Sequence, residues 1–464
     1  MGVDAATILG TVSQWLWNHV LLYVLLAVGI YFTLRLRLVQ VRKLGMGVRT
    51  LTAGLRRKSG TERSRGMSPF QALTTAIAAQ VGTGNITGCA TALAAGGPGA
   101  IFWMWVSGFF GMATIYAEAV LAQTYRSVRP DGSVLGGPAY YIRAAVRGRV
   151  GRILAGIFSV LLILALGIMG NMVQSNSIAG AFQHAFHIPT LALGIGVAVV
   201  SAFVFLGGVG RVASVTEKLV PLMAGIYVAG CAAILVLNRT ELPEAVRSIF
   251  VGAFRPQAVA GGAAGLTLRE TIRYGVARGL FSNEAGLGST PHAHAQAKVK
   301  RPEEQGIVAM LGVFVSTFVI LTLTALVLLT TGVLGSGLEG TALAQLAFQR
   351  AFGQAGKGFV AICMLLFGFS TVVGWYFFGE QNVEALFGRR GVLVYTWVVL
   401  AALVAGSGLR VDLVWNLADL FNGLMALPNL IALLLLGHVV AGICRAGDGG
   451  KHLSGRERKS DSAG

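Results

Sequence analysis

Two polar stretches interrupt hydrophobic segments of this chain: Gly82-Thr83-Gly84-Asn85 and Phe281-Ser282-Asn283-Glu284-Ala285-Gly286. Inside a bilayer, unpaired backbone N–H and C=O groups cost several kcal/mol each, so unwound backbone must be buried in protein or must line a solute cavity. A pair of such breaks in corresponding halves of a polytopic protein is typical of the binding site of a secondary transporter. The two stretches therefore predict a membrane protein that holds a solute near the middle of the bilayer.

The composition places the chain among integral membrane proteins. Hydrophobic residues occupy 55% of the 464 positions and charged residues only 12%, roughly half the charged share of a soluble domain. The net charge of +18 does not indicate nucleic-acid binding, because the basic residues lie in short loops between apolar stretches. The sequence contains no nucleophile elbow, no phosphate-binding P-loop and no soluble catalytic domain. We therefore expect no enzyme activity, and nothing in the sequence indicates an obligate protein partner.

Hydropathy predicts an all-α polytopic membrane protein with eleven transmembrane helices, since a spanning helix needs about 20 mostly apolar residues. The predicted spans, numbered 1 to 11, cover residues 15–35, 69–96, 99–124, 153–183, 189–207, 214–237, 263–297, 304–333, 358–385, 391–407 and 412–443. Spans 2 and 7 contain the polar stretches and are predicted to be discontinuous. Spans 2 to 11 divide into two sets of five, with a break in the first member of each, as an inverted-topology repeat requires.

Basic residues set the predicted orientation. The stretch from Arg35 to Arg65 contains ten basic residues and one acidic residue, so the positive-inside rule places this loop in the cytoplasm. The N-terminus then faces outward, the C-terminus is cytoplasmic, and the expected location is the cell (plasma or inner) membrane. The chain divides into an N-terminal transmembrane helix (1–36), a basic cytoplasmic loop (37–67), a ten-helix core (68–443) and a basic cytoplasmic tail (444–464), which we expect to be disordered.

The first break presents the ends of two half-helices to each other. Beyond Gly84 a new half-helix begins, so its first amides lack partners and its positive dipole end suits a carboxylate. Thr83 and Asn85 add side-chain contacts. On the other side of the break, backbone carbonyls are available to a cation at Ala78, Gln80 and Val81. Close packing of helices through small residues is the alternative explanation of the glycines.

The second break contains a carboxylate within an apolar segment. Such a group is a functional-site hypothesis by default, and three roles are open to Glu284: it organises the unwound segment, faces the ammonium of a substrate, or titrates. An ion pair with Arg278, on the preceding turn, is the purely structural alternative. Glu118 in span 3 is a similar intramembrane carboxylate, for which we expect a partner in Arg126 or in the backbone.

Spans 4 and 9 each present polar side chains on one face. Asn171 and Gln174 lie three residues apart and so share a face of span 4, where interhelical hydrogen bonding alone is the alternative explanation. In span 9, the hydroxyls of Ser370 and Thr371 with free carbonyls would form an all-oxygen site for a hard monovalent cation, and Thr371 and Trp375 face the same way. Bonding of both hydroxyls to carbonyls one turn earlier is the alternative.

Longer motifs around these positions resemble the alanine or glycine:cation symporters, a family of sodium-coupled amino-acid transporters. Besides the two breaks, the motifs are Gly66-Met67-Ser68-Pro69-Phe70-Gln71-Ala72, Gly96-Gly97-Pro98-Gly99-Ala100-Ile101-Phe102-Trp103-Met104-Trp105, Gly136-Gly137-Pro138, Arg278-Gly279-Leu280, Leu287-Gly288-Ser289, Gly374-Trp375-Tyr376, Leu413-Val414-Trp415-Asn416 and Leu427-Pro428-Asn429. The resemblance implies a fold of the leucine-transporter type, with ten core helices in two inverted halves and one additional N-terminal helix.

The resemblance also implies the residues of the site. A small neutral amino acid, such as alanine or glycine, would contact nine residues of spans 2, 4, 7 and 9: Thr83, Gly84, Asn85, Asn171, Gln174, Phe281, Ser282, Glu284 and Trp375. The co-transported sodium ion would lie among main-chain oxygens and hydroxyls at Ala78, Val81, Ser370 and Thr371.

The predicted function is sodium-coupled amino-acid symport by alternating access. The main alternative is a proton-coupled transporter that uses Glu284 as its titrating group, for which uptake would follow pH and ignore sodium. A facilitator or channel would show no accumulation against a gradient, and a transporter-like receptor would bind amino acid without moving it.

Overall fold

A computed structural model describes residues 5–49, 66–255, 267–409 and 411–460. These residues are mainly helical, as the sequence predicts. Up to residue 205 the helices and strands are α1 (Ala5–Leu16), α2 (Leu22–Arg35), α3 (Val39–Arg42), α4 (Pro69–Gln80), α5 (Cys89–Gly96), α6 (Ala100–Thr124), β1 (Ser127–Val128), β2 (Val134–Leu135), α7 (Pro138–Ala145), α8 (Gly148–Leu162), α9 (Asn171–Phe186) and α10 (Thr190–Phe205). Residues 50–65 of the predicted basic loop lie outside the described residues.

The second part of the chain continues in the same manner. Its helices are α11 (Gly208–Leu237), α12 (Leu242–Phe254), α13 (Leu268–Asn283), α14 (Pro291–Ala295), α15 (Pro302–Val313), α16 (Thr322–Thr330), α17 (Gly340–Phe352), α18 (Gln354–Gly408), α19 (Val411–Leu435) and α20 (Gly437–Ser460). π-Helical segments join several neighbouring helices, at Trp17–Leu21, Gly84–Gly88, Ile163–Gly170 and Phe314–Leu321. The strands β1 and β2 pair antiparallel in a short hairpin.

Within the described residues, seven helical stretches are long and apolar enough to cross a membrane: Leu9–Arg35, Ala100–Thr124, Gly148–Phe186, Gly208–Leu237, Pro302–Thr330, Gln354–Gly408 and Trp415–Leu435. The helix α18 would extend about 80 Å if straight, and it turns at Gly388, whose φ of 70° and ψ of −173° are not helical. The protein is therefore a helical polytopic membrane protein. The count of eleven crossings and the inverted repeat remain predictions.

The first interruption separates α4 from α5. The helix α4 begins with a capping box formed by Ser68 and Gln71, which satisfies otherwise unpaired amides. It ends at Gln80, and Val81 has φ −108° and ψ 72°, outside the helical region. Helical backbone resumes with the π segment that begins at Gly84. The unwound residues thus coincide with the glycine-containing stretch that the sequence analysis began from.

The second interruption begins later than the sequence predicts. Phe281 to Asn283 still belong to α13, and the chain leaves the helix at Glu284, which has a left-handed φ of 56°. Gly286 (φ 87°) and Gly288 (φ 82°) follow, and helical backbone returns only in α14. Glycine adopts positive φ without the steric cost that other residues incur, so the unwound backbone continues through the two glycines. Of the three consecutive polar residues, only Glu284 belongs to it.

Small residues bring the interrupted helices close to their neighbours. A Cβ placed on Gly275 of α13 would lie 2.4 Å from the carbonyl oxygen of Ala100, so α13 packs directly on α6 there. A Cβ on Gly82 would lie 2.4 Å from the Thr371 hydroxyl of α18. Close packing of this kind is how membrane helices gain van der Waals contact, and here it also positions the two breaks.

The sequence predicts a disordered tail, but the structure contains a helix there: α20 extends to Ser460, within the described residues. Its first turns are apolar, with Val440 and Cys444 buried. Further along, Asp448 forms ion pairs with Arg42 (2.7 Å), the last residue of α3, and with Lys43 (2.8 Å), which follows it. Composition alone does not reveal these tertiary contacts, which anchor the beginning of the helix to the rest of the protein.

Candidate substrate and cation site

The two interruptions lie against each other. The side-chain amide of Gln80 donates to the carbonyl oxygen of Asn283 (3.0 Å), which joins the end of α4 to the end of α13. The Ser316 hydroxyl lies 3.1 Å from the carbonyl oxygen of Gln80 and 3.4 Å from that of Ser282. Asn85 donates to both the hydroxyl (2.9 Å) and the carbonyl oxygen (3.0 Å) of Ser316. The sequence analysis missed Ser316, whose one available signal was its place as a serine within an apolar span.

Several polar side-chain atoms at this junction are buried. Asn85 Oδ1, Ser282 Oγ and Asn283 Nδ2 have no hydrogen-bond partner among the described residues, and the same is true of Asn171 Oδ1 on α9. A buried polar group without a partner costs about 1–3 kcal/mol. The arrangement therefore favours occupation by a polar guest or an ion that supplies the missing partners.

Some peptide N–H groups of the first break also lack hydrogen-bond partners, but they precede the residues for which the sequence predicts this. The amides of Asn85, Ile86 and Thr87 donate to the carbonyls of Gly82 and Thr83. Those of Gly82, Thr83 and Gly84 find no acceptor among the described residues. The free donors lie one turn earlier than expected because the π segment already pairs the amides that follow Gly84. They still point to an anionic group as the ligand.

The predicted cation ligands come together in part. The carbonyl oxygen of Ala78 accepts hydrogen bonds from Thr371 (2.9 Å) and Ser370 (3.4 Å), and the same hydroxyls contact the Phe367 carbonyl at 3.0 and 2.8 Å. The hydroxyls therefore bond back to their own helix, as the alternative explanation states, and they also reach α4. Their role as cation ligands stays a prediction. Val81 contributes unwound backbone next to this cluster. Neutral oxygens from unwound backbone and hydroxyls are the groups that hold sodium in such transporters.

The predicted substrate residues form pairs across helices. Thr83 donates to the Gln174 side-chain oxygen (3.0 Å), which joins the first break to α9. Asn171 instead donates to the carbonyl of Gly167, one turn earlier in its own helix (2.9 Å). The Phe281 ring would lie 3.7 Å from a Cβ placed on Gly84. Asn85 bonds to Ser316, as described above, and not to Asn171 or Gln174 of α9.

Glu284 is buried, and its carboxylate joins two parts of the unwound segment and connects that segment to α18. Its carboxylate accepts hydrogen bonds from the Trp375 indole N–H (2.7 Å) and from the Ser289 hydroxyl. Among the described residues it forms no ion pair with Arg278, so the purely structural alternative does not account for it. Ser289 lies five residues further along the same segment. Of the roles left open by the sequence, organisation of the second break is the one supported by these contacts.

Glu118 of α6 also bonds to the second break. It does not pair with Arg126, which donates to the carbonyls of Ala295 (3.0 Å) and Ala297 (2.6 Å) instead. The Glu118 carboxylate accepts the amides of Gly286 (3.2 Å) and Gly288 (3.0 Å) and the side chain of Asn429 (2.7 Å). The backbone partner that we expected thus comes from the second break, about 170 residues away in sequence.

Comparison with known proteins identifies the family. Residues 3–450 match the sequence profile of the Sodium:alanine symporter family. The chain belongs to this family. Among relatives of this sodium:alanine symporter family member, the sodium/alanine symporter AgcS of Methanococcus maripaludis is 41% identical over 96% of this chain and 97% of its own. The probable sodium/glutamine symporter GlnT of Bacillus subtilis is 42% identical over 93% of this chain and 88% of its own.

Solved structures agree on the fold. MhsT in complex with L-phenylalanine has a TM-score of 0.56 at 14% identity and covers 83% of this chain and 99% of its own. A Na+-coupled sialic acid symporter has a TM-score of 0.54 at 12% identity, with coverage of 92% and 86%. This symporter family member is therefore a membrane transporter with the fold of these proteins, and it is not an enzyme.

Proposed function

We propose that this protein symports a small neutral amino acid with sodium across the cell membrane by alternating access. One observation supports this proposal above the others: two unwound segments meet around buried polar atoms that lack partners, Asn85 Oδ1, Ser282 Oγ and Asn283 Nδ2. Unwound backbone at this depth is tolerated where it lines a cavity for solute. The names of the sodium/alanine and sodium/glutamine relatives indicate the class of cargo.

Each group has a defined part in this proposal. The free amides of Gly82, Thr83 and Gly84 would receive the substrate carboxylate. Gln174 and Trp375 would close the pocket from α9 and α18, and Phe281 would cover it from the side of α13. Sodium would bind between the Ala78 carbonyl and the hydroxyls of Ser370 and Thr371, with the Val81 carbonyl nearby, and would order the first break. Occupation of both sites would then permit α4 and α13 to move relative to the remaining helices.

Uptake into proteoliposomes tests the proposal. Labelled alanine, glycine and glutamine are offered with an inward sodium gradient, and choline replaces sodium in the control. We expect accumulation above equilibrium for at least one of these amino acids in sodium and none in choline. Equal uptake in both salts would exclude sodium coupling, and uptake that stops at equilibrium would indicate a facilitator.

A proton-coupled mechanism is the second candidate, because Glu284 is a buried carboxylate beside the predicted pocket. The same vesicles with an inward proton gradient and no sodium would then accumulate amino acid, and Glu284→Gln would abolish that accumulation. Under sodium coupling, the proton gradient has no such effect. Glu284→Gln would retain sodium-dependent uptake, at a reduced rate, because the amide oxygen still accepts from Trp375.

A further inference from the structure

A cavity of about 170 Å³ lies where α2, α3 and α20 meet, away from the two breaks. Arg35 ends α2, at the limit of the stretch Leu9–Arg35, which is long and apolar enough to cross a membrane. The cavity is therefore at the level where the apolar core of a bilayer gives way to lipid headgroups. Our topology places this level in the cytoplasmic leaflet. The cavity is lined by Arg35, Leu36, Arg37, Arg42, Ala441, Cys444, Arg445 and Asp448.

The carboxylate that lines this cavity is already engaged. Asp448 pairs with Arg42 (2.7 Å) and with Lys43 (2.8 Å), and Lys43 also pairs with the buried Glu303. The two acids thus balance these two bases, and none of their charge is left over for the other arginines of the cavity. The buried pair between Lys43 and Glu303 also joins this region to α15.

Three further arginines of the cavity keep donors free. Among the described residues, Arg35 and Arg37 form no side-chain hydrogen bond or ion pair. Arg445 donates through Nε to the carbonyl oxygen of Ala441 (3.2 Å), which leaves its two terminal nitrogens without a partner in the same part of the chain. All three arginines are exposed, so water hydrates them and their charge does not by itself require a ligand. Their convergence gives the cavity an excess of positive charge, which attracts an anion.

The backbone between α2 and α3 fixes the relative positions of these side chains. Arg37 and Leu38 both adopt a left-handed conformation, with φ of 53° and 56°, which carries a steric cost for residues other than glycine. A buried hydrogen bond from Gln40 to the Thr33 hydroxyl (2.9 Å) holds α3 against α2. Arg42 also reaches the carbonyl oxygen of Arg37 (3.5 Å). The cationic wall is therefore shaped before any ligand arrives, which lowers the cost of binding.

Exposed apolar side chains adjoin the basic ones. Leu34, Leu38 and Val41 are 72%, 47% and 65% exposed, and they alternate along the chain with Arg35 and Arg37. A soluble anion would make no use of these apolar groups. A lipid would use both kinds of group, since its phosphate would lie at the guanidinium groups while its acyl chains would pack along the apolar surface of α2.

We propose that this cavity binds the headgroup of an anionic phospholipid. Its phosphodiester oxygens accept hydrogen bonds from Arg37 and Arg445, and Arg35 adds a third positive charge. Arginine suits this role because the guanidinium group presents paired donors to phosphate oxygens. A zwitterionic lipid carries a cation of its own, which the basic wall repels, so the site favours lipids with a net negative charge. The bound lipid connects the α2–α3 turn to α20, and this inference does not depend on the nature of the transported solute.

Equilibrium binding of labelled phosphatidylglycerol to the purified full-length chain in detergent tests this proposal. We expect one saturable lipid per protein, which unlabelled phosphatidylglycerol displaces and phosphatidylcholine does not. Arg37→Gln and Arg445→Gln should each weaken binding about fivefold, because one interfacial basic residue contributes on the order of 1 kcal/mol. Both side chains are exposed, so the substitutions leave the packed interior unchanged. Arg37→Lys keeps the charge and should bind more tightly than Arg37→Gln.

Arg149→Gln is the matched control. Arg149 is an exposed arginine at the beginning of another stretch that can cross the membrane, Gly148–Phe186, and our topology places it on the same side, but it does not line the cavity. This variant should bind phosphatidylglycerol as the unchanged protein does. Absence of a saturable lipid, or equal weakening in Arg149→Gln and the two cavity variants, would overturn the site. Displacement of the lipid by an equal concentration of inorganic phosphate would identify a site for soluble anions and overturn the lipid assignment.

Discussion

A single hydroxyl at Thr371 connects three features of the site. It donates to the Ala78 carbonyl (2.9 Å), it contacts its own helix at Phe367 (3.0 Å), and it lies where a Cβ on residue 82 would have to be. Glycine at position 82 is therefore required by packing, since its φ does not lie in the left-handed region. The geometry places the first break and α18 in direct contact at the proposed ion site.

Thr371→Ala should raise the sodium concentration for half-maximal uptake about tenfold or more, because one ligand hydroxyl is lost, worth about 1–2 kcal/mol. The order of preference among amino acids should not change. Thr330→Ala is the control, since that buried hydroxyl bonds to carbonyls of its own helix, those of Leu326 (2.8 Å) and Val327 (3.4 Å). An unchanged sodium requirement in Thr371→Ala would remove α18 from the ion site.

Ser316→Ala tests the junction that the sequence analysis missed. The change removes the hydroxyl between the carbonyls of Gln80 and Ser282 and takes one acceptor from Asn85. We expect uptake to fall about tenfold, equivalent to roughly 1.4 kcal/mol, with normal amounts of protein in the membrane. Ser201→Ala is matched, because Ser201 is equally buried but its hydroxyl has no partner among the described residues. Equal loss of uptake in both variants would contradict a specific role for Ser316.

Among the helices, the second break depends on an element outside itself. Glu118 on α6 accepts the amides of Gly286 and Gly288, and Asn429 on α19 bonds to both Glu118 and the Gly286 carbonyl (2.9 Å). Tyr141 of α7 in turn donates to Asn429. Backbone that has lost its helical partners thus obtains replacements from two other helices, α6 and α19, and α7 holds Asn429 in place.

Glu118→Ala should lower uptake by one to two orders of magnitude, because two buried amides lose their acceptor at about 1–3 kcal/mol each. Glu118→Gln keeps one acceptor oxygen and should retain more uptake than the alanine variant. Glu304→Ala serves as control, since that partly exposed side chain pairs with Arg301 at the beginning of α15. Membrane abundance and transport rate are measured together. Uptake of Glu118→Ala equal to that of Glu304→Ala would exclude the positioning role.

A comparison of two glycines with the same φ angle distinguishes the effect of backbone strain from the effect of contacts within the second break. Gly286 and Gly335 both have φ 87°, but a Cβ on Gly286 would lie 2.6 Å from Leu25, whereas a Cβ on Gly335 meets no atom within 4 Å. Both alanine variants incur left-handed strain of about 1 kcal/mol or more. Only Gly286→Ala should lose most of its transport activity and have a lower melting temperature than Gly335→Ala. Equal activity and melting temperature would show that the second break tolerates displacement.

The elements themselves were largely predictable, because hydrophobic length and glycine content are local properties. The sequence located the first break to within a few residues, since Gly82 and Gly84 flank the unwound backbone. It placed the start of the second break three residues too early, because polarity at Ser282 and Asn283 was taken as a sign of unwinding. The contacts of Ser316 and Glu118 join residues that are far apart in the chain, and no local pattern reveals them.

At the scale of the whole molecule, charge is distributed unevenly between the surfaces and the site. Ion pairs that join distant parts of the chain, such as Arg129 with Glu384 and Asp448 with Lys43, lie on the side predicted to be cytoplasmic. The cation cluster at the first break contains only neutral oxygens from Ala78, Ser370 and Thr371. A zwitterionic cargo adds no net charge, so one sodium ion would account for all the charge that crosses in a cycle.

This charge balance predicts how accumulation depends on membrane potential. A charge crossing 100 mV changes its free energy by about 2.3 kcal/mol, and tenfold in a concentration ratio is about 1.4 kcal/mol. Each additional 60 mV, inside negative, should therefore raise the steady-state accumulation ratio about tenfold for one sodium per amino acid. Potassium diffusion potentials set with valinomycin in potassium-loaded proteoliposomes, with sodium outside, provide the measurement, with protein-free liposomes as control. A ratio that rises a hundredfold per step would indicate two sodium ions, because two charges double the electrical energy, and a ratio that ignores the potential would rule out net charge transfer with the cargo.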